Sequence, residues 1–386
     1  MADSDPRLDT LDRATLTSLV QQALDCGPVE VLDWHWTRIA YDMFLPGRLV
    51  ARFSGQALVE GTGVPWSIVL KLSHRPESAV NTPNGYWQRE VFAYQSGLLA
   101  QLPGGLAAPR AFEVTTGKGA DTWLWLEDVA DSYGGQWPLE QYRRAAYHFG
   151  QFNGAYLVSR PLPTFSWLVP HWPELHSEPA KIPPALAQIE TLAVDPRVRH
   201  FFPIHITEQM PRLLRDQALF MAILDRLPQT LCHHDASQAN LFARPGAGGE
   251  LETVAIDWES LGHGTVGGEI ATLVFGTIRR GLFRADRVAD LSGAVFAGYL
   301  QGLRDMGWQD DPDLVRLGYT AAVALRWFLL QGTLRAITDK NERARRGQAL
   351  QENEEQALQQ FILLSTFLLA CAEEARALAR RYRFIT

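Results

Sequence analysis

Short runs of alternating apolar and polar residues dominate the chain up to about residue 126. Beyond it, apolar positions recur mostly at helical spacing. Leu16, Leu19, Val20, Ala23 and Leu24 fall on one face and predict an opening helix, ended by Gly27-Pro28. Three strands are predicted next. They are Val29 to Ile39, Arg48 to Leu58 after the turn Leu45-Pro46-Gly47, and Trp66 to Leu72 after Gly61-Thr62-Gly63. A helix from about Trp87 to Leu99 follows, then a strand from Thr122 to Leu126 that runs into Glu127-Asp128. The order helix, three strands, helix, strand predicts a small antiparallel sheet carrying one helix over residues 1–126.

The remainder, residues 127–386, predicts a larger, mostly helical region. Tyr142, Ala145, Ala146, Phe149, Phe152, Tyr156 and Leu157 form an amphipathic stripe. Pro161 to Pro184, rich in Pro and Trp, predicts irregular chain. Two short strands, Leu241 to Ala243 and Thr253 to Ile256, flank a glycine-rich turn at Gly246 to Gly249. From Glu269 onward the pattern is helix, with turns predicted at Gly281, Gly302, Gly307 and Pro312. The fold class expected is α+β with two lobes.

Composition narrows the function classes. The 386 residues are 46% hydrophobic and 20% charged, which fits a full globular core. The net charge of -7 argues against a general nucleic-acid binder and for a soluble protein. Cys26, Cys232 and Cys371 are odd in number and far apart, so neither a disulfide framework nor a CxxC metal site is expected. A reducing cytoplasm is the expected compartment. Met1-Ala2-Asp3-Ser4-Asp5 is acidic where a signal peptide would be basic, and the apolar run Phe361 to Cys371 is too short to span a bilayer. Only four residues are Lys (Lys71, Lys118, Lys181 and Lys340), which gives the position of each one weight.

The chemistry concentrates in His233-His234-Asp235-Ala236-Ser237-Gln238-Ala239-Asn240, which reads H-x-D-x4-N. Asp235 in such a loop can receive a hydroxyl proton, and Asn240 can reach a Mg2+ ion. Asp257 leaves an apolar strand soon after, a suitable position for a hard oxygen ligand to Mg2+, with Glu259 as a further candidate. His233 is expected to orient the loop by hydrogen bonding, and His234 to fill a neighbouring position. Lys71 closes a predicted strand and is expected to meet nucleotide phosphates, held by Glu90 on the next helix, with Glu77 as the other available acid. Backbone groups at Glu127 to Val129 are candidates for contact with an adenine edge. The turn at Gly47 has one glycine and no G-x-G-x-x-G, so a phosphate-covering loop is not demonstrated there.

These residues resemble the aminoglycoside phosphotransferase and choline kinase-like family, whose fold is similar to that of protein kinases. The resemblance rests on His233, Asp235 and Asn240, on Ile256-Asp257-Trp258-Glu259, and on Gly267-Gly268-Glu269-Ile270-Ala271, where Glu269 stands in place of the family's usual Asp. Lys71, Glu90 and Leu126-Glu127-Asp128 match in order and approximate spacing. The resemblance implies a two-lobed fold with ATP between the lobes. Residues 1–126 would form the nucleotide-binding lobe, and residues 127–386 the catalytic and substrate-binding lobe. It implies Asp235 as base, Asn240 and Asp257 as Mg2+ ligands, and Lys71 at the phosphates, oriented by Glu90. No Asp-Phe-Gly or Ala-Pro-Glu segment is present, which argues against a protein kinase. The expected acceptor is a hydroxyl of a small molecule. Its identity is not legible in Pro161 to Phe202, where scattered acids mix with Trp167, Trp172 and prolines. Three other readings stand beside this one. They are a non-catalytic nucleotide-binding module, a nucleotidyltransferase on the same fold, and a metal-dependent phosphohydrolase using His234-Asp235 with His205 and Asp257.

Overall fold

The opening helix, α1 (Arg13–Leu24), starts because the Asp12 carboxylate accepts the Thr15 N–H at 2.8 Å. Leu16, Leu19 and Val20 are buried, as their spacing predicts. The helix stops at Asp25, which is left-handed at φ 48°, just ahead of Gly27-Pro28. The computed structural model describes residues 5–8, 11–39, 48–74, 87–116, 121–170, 179–246 and 248–384. The turn at Gly47, the alternative acid Glu77 and the residues Trp172, Glu174 and Glu178 lie outside them. The chain forms two compact units, one of residues 1–102 with 107–130 and the other of residues 103–106 with 131–386.

In the first unit, α1 is followed by β1 (Val29–Arg38), β2 (Leu49–Val59), β3 (Thr62–His74) and α2 (Arg89–Gln95). Then come β4 (Leu106–Ala107), whose two residues are divided between the units, β5 (Ala111–Thr116) and β6 (Asp121–Glu127). Five of these strands form an antiparallel sheet in the order β1-β2-β3-β6-β5, and β4 takes no part in it. Strand β5 was not expected. It pairs antiparallel with β6. The predicted helix from Trp87 to Leu99 is shorter, because Gly97 adopts φ 79° and a 3-10 turn, Leu98–Gln101, follows. Along β3, Trp66, Ile68, Leu70 and Leu72 alternate into the core beside Leu16, Leu19, Val31, Phe53 and Trp125. Each such side chain contributes roughly 1.5–3 kcal/mol on burial. The same alternation turns Lys71 to the other face.

The second unit opens with α3 (Leu139–Val158), whose buried stripe contains Tyr142, Ala145, Ala146, Phe149, Phe152 and Tyr156. The stretch predicted to be irregular gives way to α4 (Ile182–Ala193), which takes Pro183 and Pro184 in its first turn, where missing N–H groups cost nothing. Short helices follow: α5 (Pro196–Phe201), α6 (Ile204–Thr207), α7 (Gln209–Arg215) and α8 (Gln217–Arg226). Next come β7 (Gln229–Cys232), the predicted hairpin of β8 (Leu241–Pro245) and β9 (Leu251–Ala255), and β10 (Gly262–Thr265). Strands β7 and β10 pair antiparallel; neither was expected, being four residues each. The rest is helical: α9 (Gly268–Arg279), α10 (Val288–Asp305), α11 (Pro312–Ala324), α12 (Trp327–Thr338), α13 (Lys340–Leu350) and α14 (Glu354–Arg381). Gly302 was expected at a turn but lies inside α10. A Cβ there would stand 2.1 Å from the Tyr147 carbonyl of α3, so the glycine serves close helix packing. Among the described residues, no helix is long and apolar enough to cross a membrane.

Candidate active site

Residues 233–240 leave β7 as irregular chain and end in a 3-10 turn, Gln238–Asn240, that feeds β8. Irregular backbone inside a folded unit must find partners for its N–H and C=O groups. Side chains from distant elements provide them. Glu269, in the first turn of α9, accepts the His233 N–H at 2.6 Å and the His234 N–H at 3.0 Å. The Gln238 N–H donates to Thr277 Oγ1 at 3.1 Å. Glu269 can reach the loop because Gly267 turns the chain at φ 80°. A side chain on Gly267 would stand 2.2 Å from the Val315 carbonyl.

His233 orients the loop, as expected. Its Nδ1 accepts the Asp235 N–H at 3.1 Å, which leaves Nε2 to donate to the Ile256 carbonyl at 2.8 Å. The ring packs edge-on against the buried Trp258, 4.5 Å between centroids. The Ile256 N–H donates to the Asn240 carbonyl at 3.0 Å. Ile256 is therefore held at both peptide groups by the loop, and the next residue is Asp257.

Asn240 and Asp235 are in direct contact. Asn240 Nδ2 donates to both the Asp235 carbonyl and Asp235 Oδ2, each at 2.9 Å. Asp257 adopts a left-handed conformation, φ 64° and ψ 59°, and its side chain makes no capping bond to the 3-10 turn Trp258–Ser260 that follows. His234 is also left-handed, at φ 69°. His234, next to Asp235, and Asp257 are thus two non-glycine residues in a sparsely populated region that carries strain.

Electrostatics sets Asp235 apart. Burial, then the Asp257 carboxylate and, less strongly, Glu259 push its pKa up to about 6, while Arg280 and the Asn240 bond pull it down. Glu269 is pushed up to about 7 by burial, against the two loop amides that favour its charged form. Asp235, Asp257 and Glu259 thus crowd negative charge into one place, which a divalent cation would relieve. The donors suit Mg2+: the Asp257 carboxylate and the Asn240 amide oxygen are hard, and the Asn240 nitrogen is committed to Asp235. Among the described residues no group of three or more His, Cys, Asp and Glu is arranged to hold a metal by itself. A cation here would complete its shell from substrate oxygens and water.

Lys71 and Glu90 come together in the first unit, Nζ to Oε2 at 2.5 Å. Lys71 is in register with Val50 of β2 and Leu124 of β6, and Glu90 lies in the first turn of α2. Glu127 ends β6; its N–H is used by the Arg110 carbonyl at 2.9 Å, and its carboxylate accepts the Arg110 N–H at 3.1 Å. Val129 follows in irregular chain, half-buried.

Sequence reasoning missed several residues of the site. The sequence marks Glu269 only as part of a motif. Asp131 carries no sequence signal; its carboxylate accepts the N–H groups of Ala243 and Gly135 and the Trp137 indole, holding residues 131–137 to β8. Thr272, Arg280 and Arg326 carried no local signal. His234 Nε2 contacts the His263 carbonyl at 3.0 Å, and His234-Asp235 lies on loop rather than helix.

No family model matches the chain, and no curated protein matches it. Solved structures of aminoglycoside phosphotransferases and of a choline kinase match most of its length. An aminoglycoside phosphotransferase from Alicyclobacillus acidocaldarius is similar over 90% of this chain and 92% of its own, at 18% identity and a TM-score of 0.49. The choline kinase of Cryptosporidium parvum Iowa II is similar over 91% of each chain, at 13% identity and a TM-score of 0.47. The amicoumacin kinase hAmiN, in complex with AMP-PNP, Ca2+ and Ami, is similar over 83% of this chain and 88% of its own, at 14% identity and a TM-score of 0.47.

Proposed function

We propose that this protein is an ATP- and Mg2+-dependent phosphotransferase that phosphorylates a hydroxyl group of a small molecule. The observation that carries this reading is the Asn240 amide bonded to both the carbonyl and the carboxylate of Asp235, with Asp257 tied to the same loop through Ile256. Asp235 is the base. Its carboxylate takes the proton of the acceptor hydroxyl while the acceptor oxygen bonds to the γ-phosphorus and the bond to the ADP oxygen breaks. A positioned base contributes roughly 10^2 to 10^4 in rate. Asn240 and Asp257 hold Mg2+, which when bound supplies charge neutralisation at the phosphate oxygens. Lys71, kept in place by Glu90, meets the nucleotide phosphates. The Glu127 carbonyl and the Val129 amide are the backbone groups for the adenine edge, since the Glu127 N–H is already used. The phosphohydrolase alternative loses ground because, among the described residues, no group of three or more His, Cys, Asp and Glu is arranged to hold a metal.

The test is a screen of hydroxylated small molecules with Mg-ATP, read by mass spectrometry as the gain of one phosphoryl group. Transfer that disappears in Asp235→Ala, with folding retained, is the expected result. Undiminished transfer in that variant would overturn the base assignment. Mg-ATP binding with transfer to no acceptor would favour a nucleotide-binding module instead.

A further inference from the structure

Helix α9 makes another polar contact with the Asp235 loop, one that the chemistry above does not use. Thr272 lies one turn after Glu269 and is buried. Its hydroxyl donates to the His234 carbonyl at 3.3 Å. The same oxygen accepts a hydrogen bond from Arg326 Nη2 at 2.6 Å. Arg326 is only 4% exposed and stands at the junction of α11 and α12. Its Nη1 donates to the Ala322 carbonyl at 2.8 Å, and its guanidinium lies 5.8 Å from the centre of the Phe275 ring.

The chemistry of these groups sets the direction of the chain of bonds. A guanidinium has donors only, so Thr272 Oγ1 must accept from it. The single hydroxyl proton is then left for an acceptor, and the His234 carbonyl is in line for it. A donor that carries charge, in a site away from water, strengthens the bond beyond it. Burial and Arg279 lower the Arg326 pKa to about 10, with Asp235 and Glu269 acting in the opposite sense, so the guanidinium is charged at neutral pH.

The contact falls on a strained residue. His234 sits at φ 69°, a conformation that needs outside support. Glu269 holds its N–H, and Thr272 holds its C=O. That carbonyl belongs to the peptide group joining His234 to Asp235. We propose that Thr272, backed by Arg326, is a positioning pair that fixes the His234–Asp235 peptide and thereby aims the Asp235 carboxylate. The role in aiming a base rests on the phosphotransferase reading; the hold on the peptide does not.

The experiment uses the full chain with Thr272→Val, Thr272→Ser, Arg326→Met and the double variant Thr272→Val/Arg326→Met. Hydrogen exchange of a peptide covering residues 233–240, followed by mass spectrometry, reads the hold without any turnover. Thr272→Val is expected to exchange about tenfold faster there, the loss of one charge-assisted bond, while Thr272→Ser exchanges like the wild type. The double variant is expected to match Thr272→Val, because Arg326 acts through Thr272. It also removes the stranded charge should Thr272→Val fold poorly. In Mg-ATP turnover, Thr272→Val should lower kcat about tenfold with the KM for ATP changed less than twofold, and Thr272→Ser should restore it. Wild-type exchange in Thr272→Val, or losses in the double variant that simply add, would overturn the proposal. Because exchange is read without catalysis, its result stands apart from the Asp235→Ala test of the function itself.

Discussion

The Lys71–Glu90 pair and the Asp235 loop reach a defined geometry by opposite routes. Lys71 stands in the middle of a regular sheet, and its backbone groups are satisfied by β2 and β6 on either side. An ion pair to Glu90 then holds the side chain. Residues 233–240 belong to no sheet. Their backbone is held by Glu269, Thr277 and Thr272 from α9, by Ile256 beyond β9, and by the ring of His233 itself. A ladder supplies its own hydrogen bonds, whereas a loop borrows them from side chains far away in the sequence. The loop is therefore the more fragile of the two, and its shape depends on residues that do no chemistry.

The contrast can be broken by substitution. The largest effect is expected at Asp235, where Asp235→Asn should lower turnover roughly 10^3-fold while leaving the melting temperature at pH 7.5 unchanged or higher, because a buried, repelled carboxylate is removed. Paired turnover and melting measurements check this; a variant that melts much earlier would make Asp235 structural. Glu269→Ala comes next and should cost about 2–5 kcal/mol of stability, since two loop amides lose their acceptor. Denaturant titration reads it, and a loss below that of Glu90→Ala would reverse the contrast drawn here. Lys71→Met should lower kcat/KM for ATP roughly 10^2-fold, about 2.7 kcal/mol, with the sheet intact by circular dichroism.

A pH series sharpens the comparison further. Asp235 and Glu269 titrate near 6 and 7 in the folded state, above their ordinary values of 3.8 and 4.5. The folded protein thus binds protons more tightly than the unfolded chain. Their contribution to stability is greatest below about pH 4 and is lost as pH rises to about 7. Metal-free protein should accordingly melt progressively lower over that window, and Asp235→Asn should flatten the lower part of it. A melting temperature that rises across the same window in the wild type would contradict the burial of these acids. The smallest effect is expected at Arg52, whose half-exposed bidentate pair with Asp128 should change stability by less than about 1 kcal/mol in Arg52→Ala.

Much of the candidate site was legible because its residues are close in sequence. Asp235, Asn240 and Asp257 fall within a short span, and Ile256-Asp257 follows an apolar strand whose end is easy to read. Lys71 was legible from rarity and from its place on a strand. Glu269 was visible only as part of a motif, and its clamp on two amides was not, because those amides lie 36 and 35 residues away. Thr272 and Arg326 left no trace: their bond spans 54 residues, and each reads locally as an ordinary helical residue. Strands β7 and β10 escaped for a related reason. Each has four residues, too few for a period to show, and each is a strand only because the other pairs with it.

By itself, then, the sequence determined the elements whose signal is local. These are the opening helix, the three long strands, the stripe of α3, the β8–β9 hairpin and the residue types of the Asp235 loop. Periodicity, turn residues and motif spacing act over a few positions, and a single chain displays them directly. Tertiary structure alone decided which way Asp235 is aimed, which carboxylate holds the loop, and that Gly302 packs a helix instead of ending one. Those outcomes depend on backbone groups meeting side chains from elsewhere in the fold, and no local pattern of residues records such a meeting.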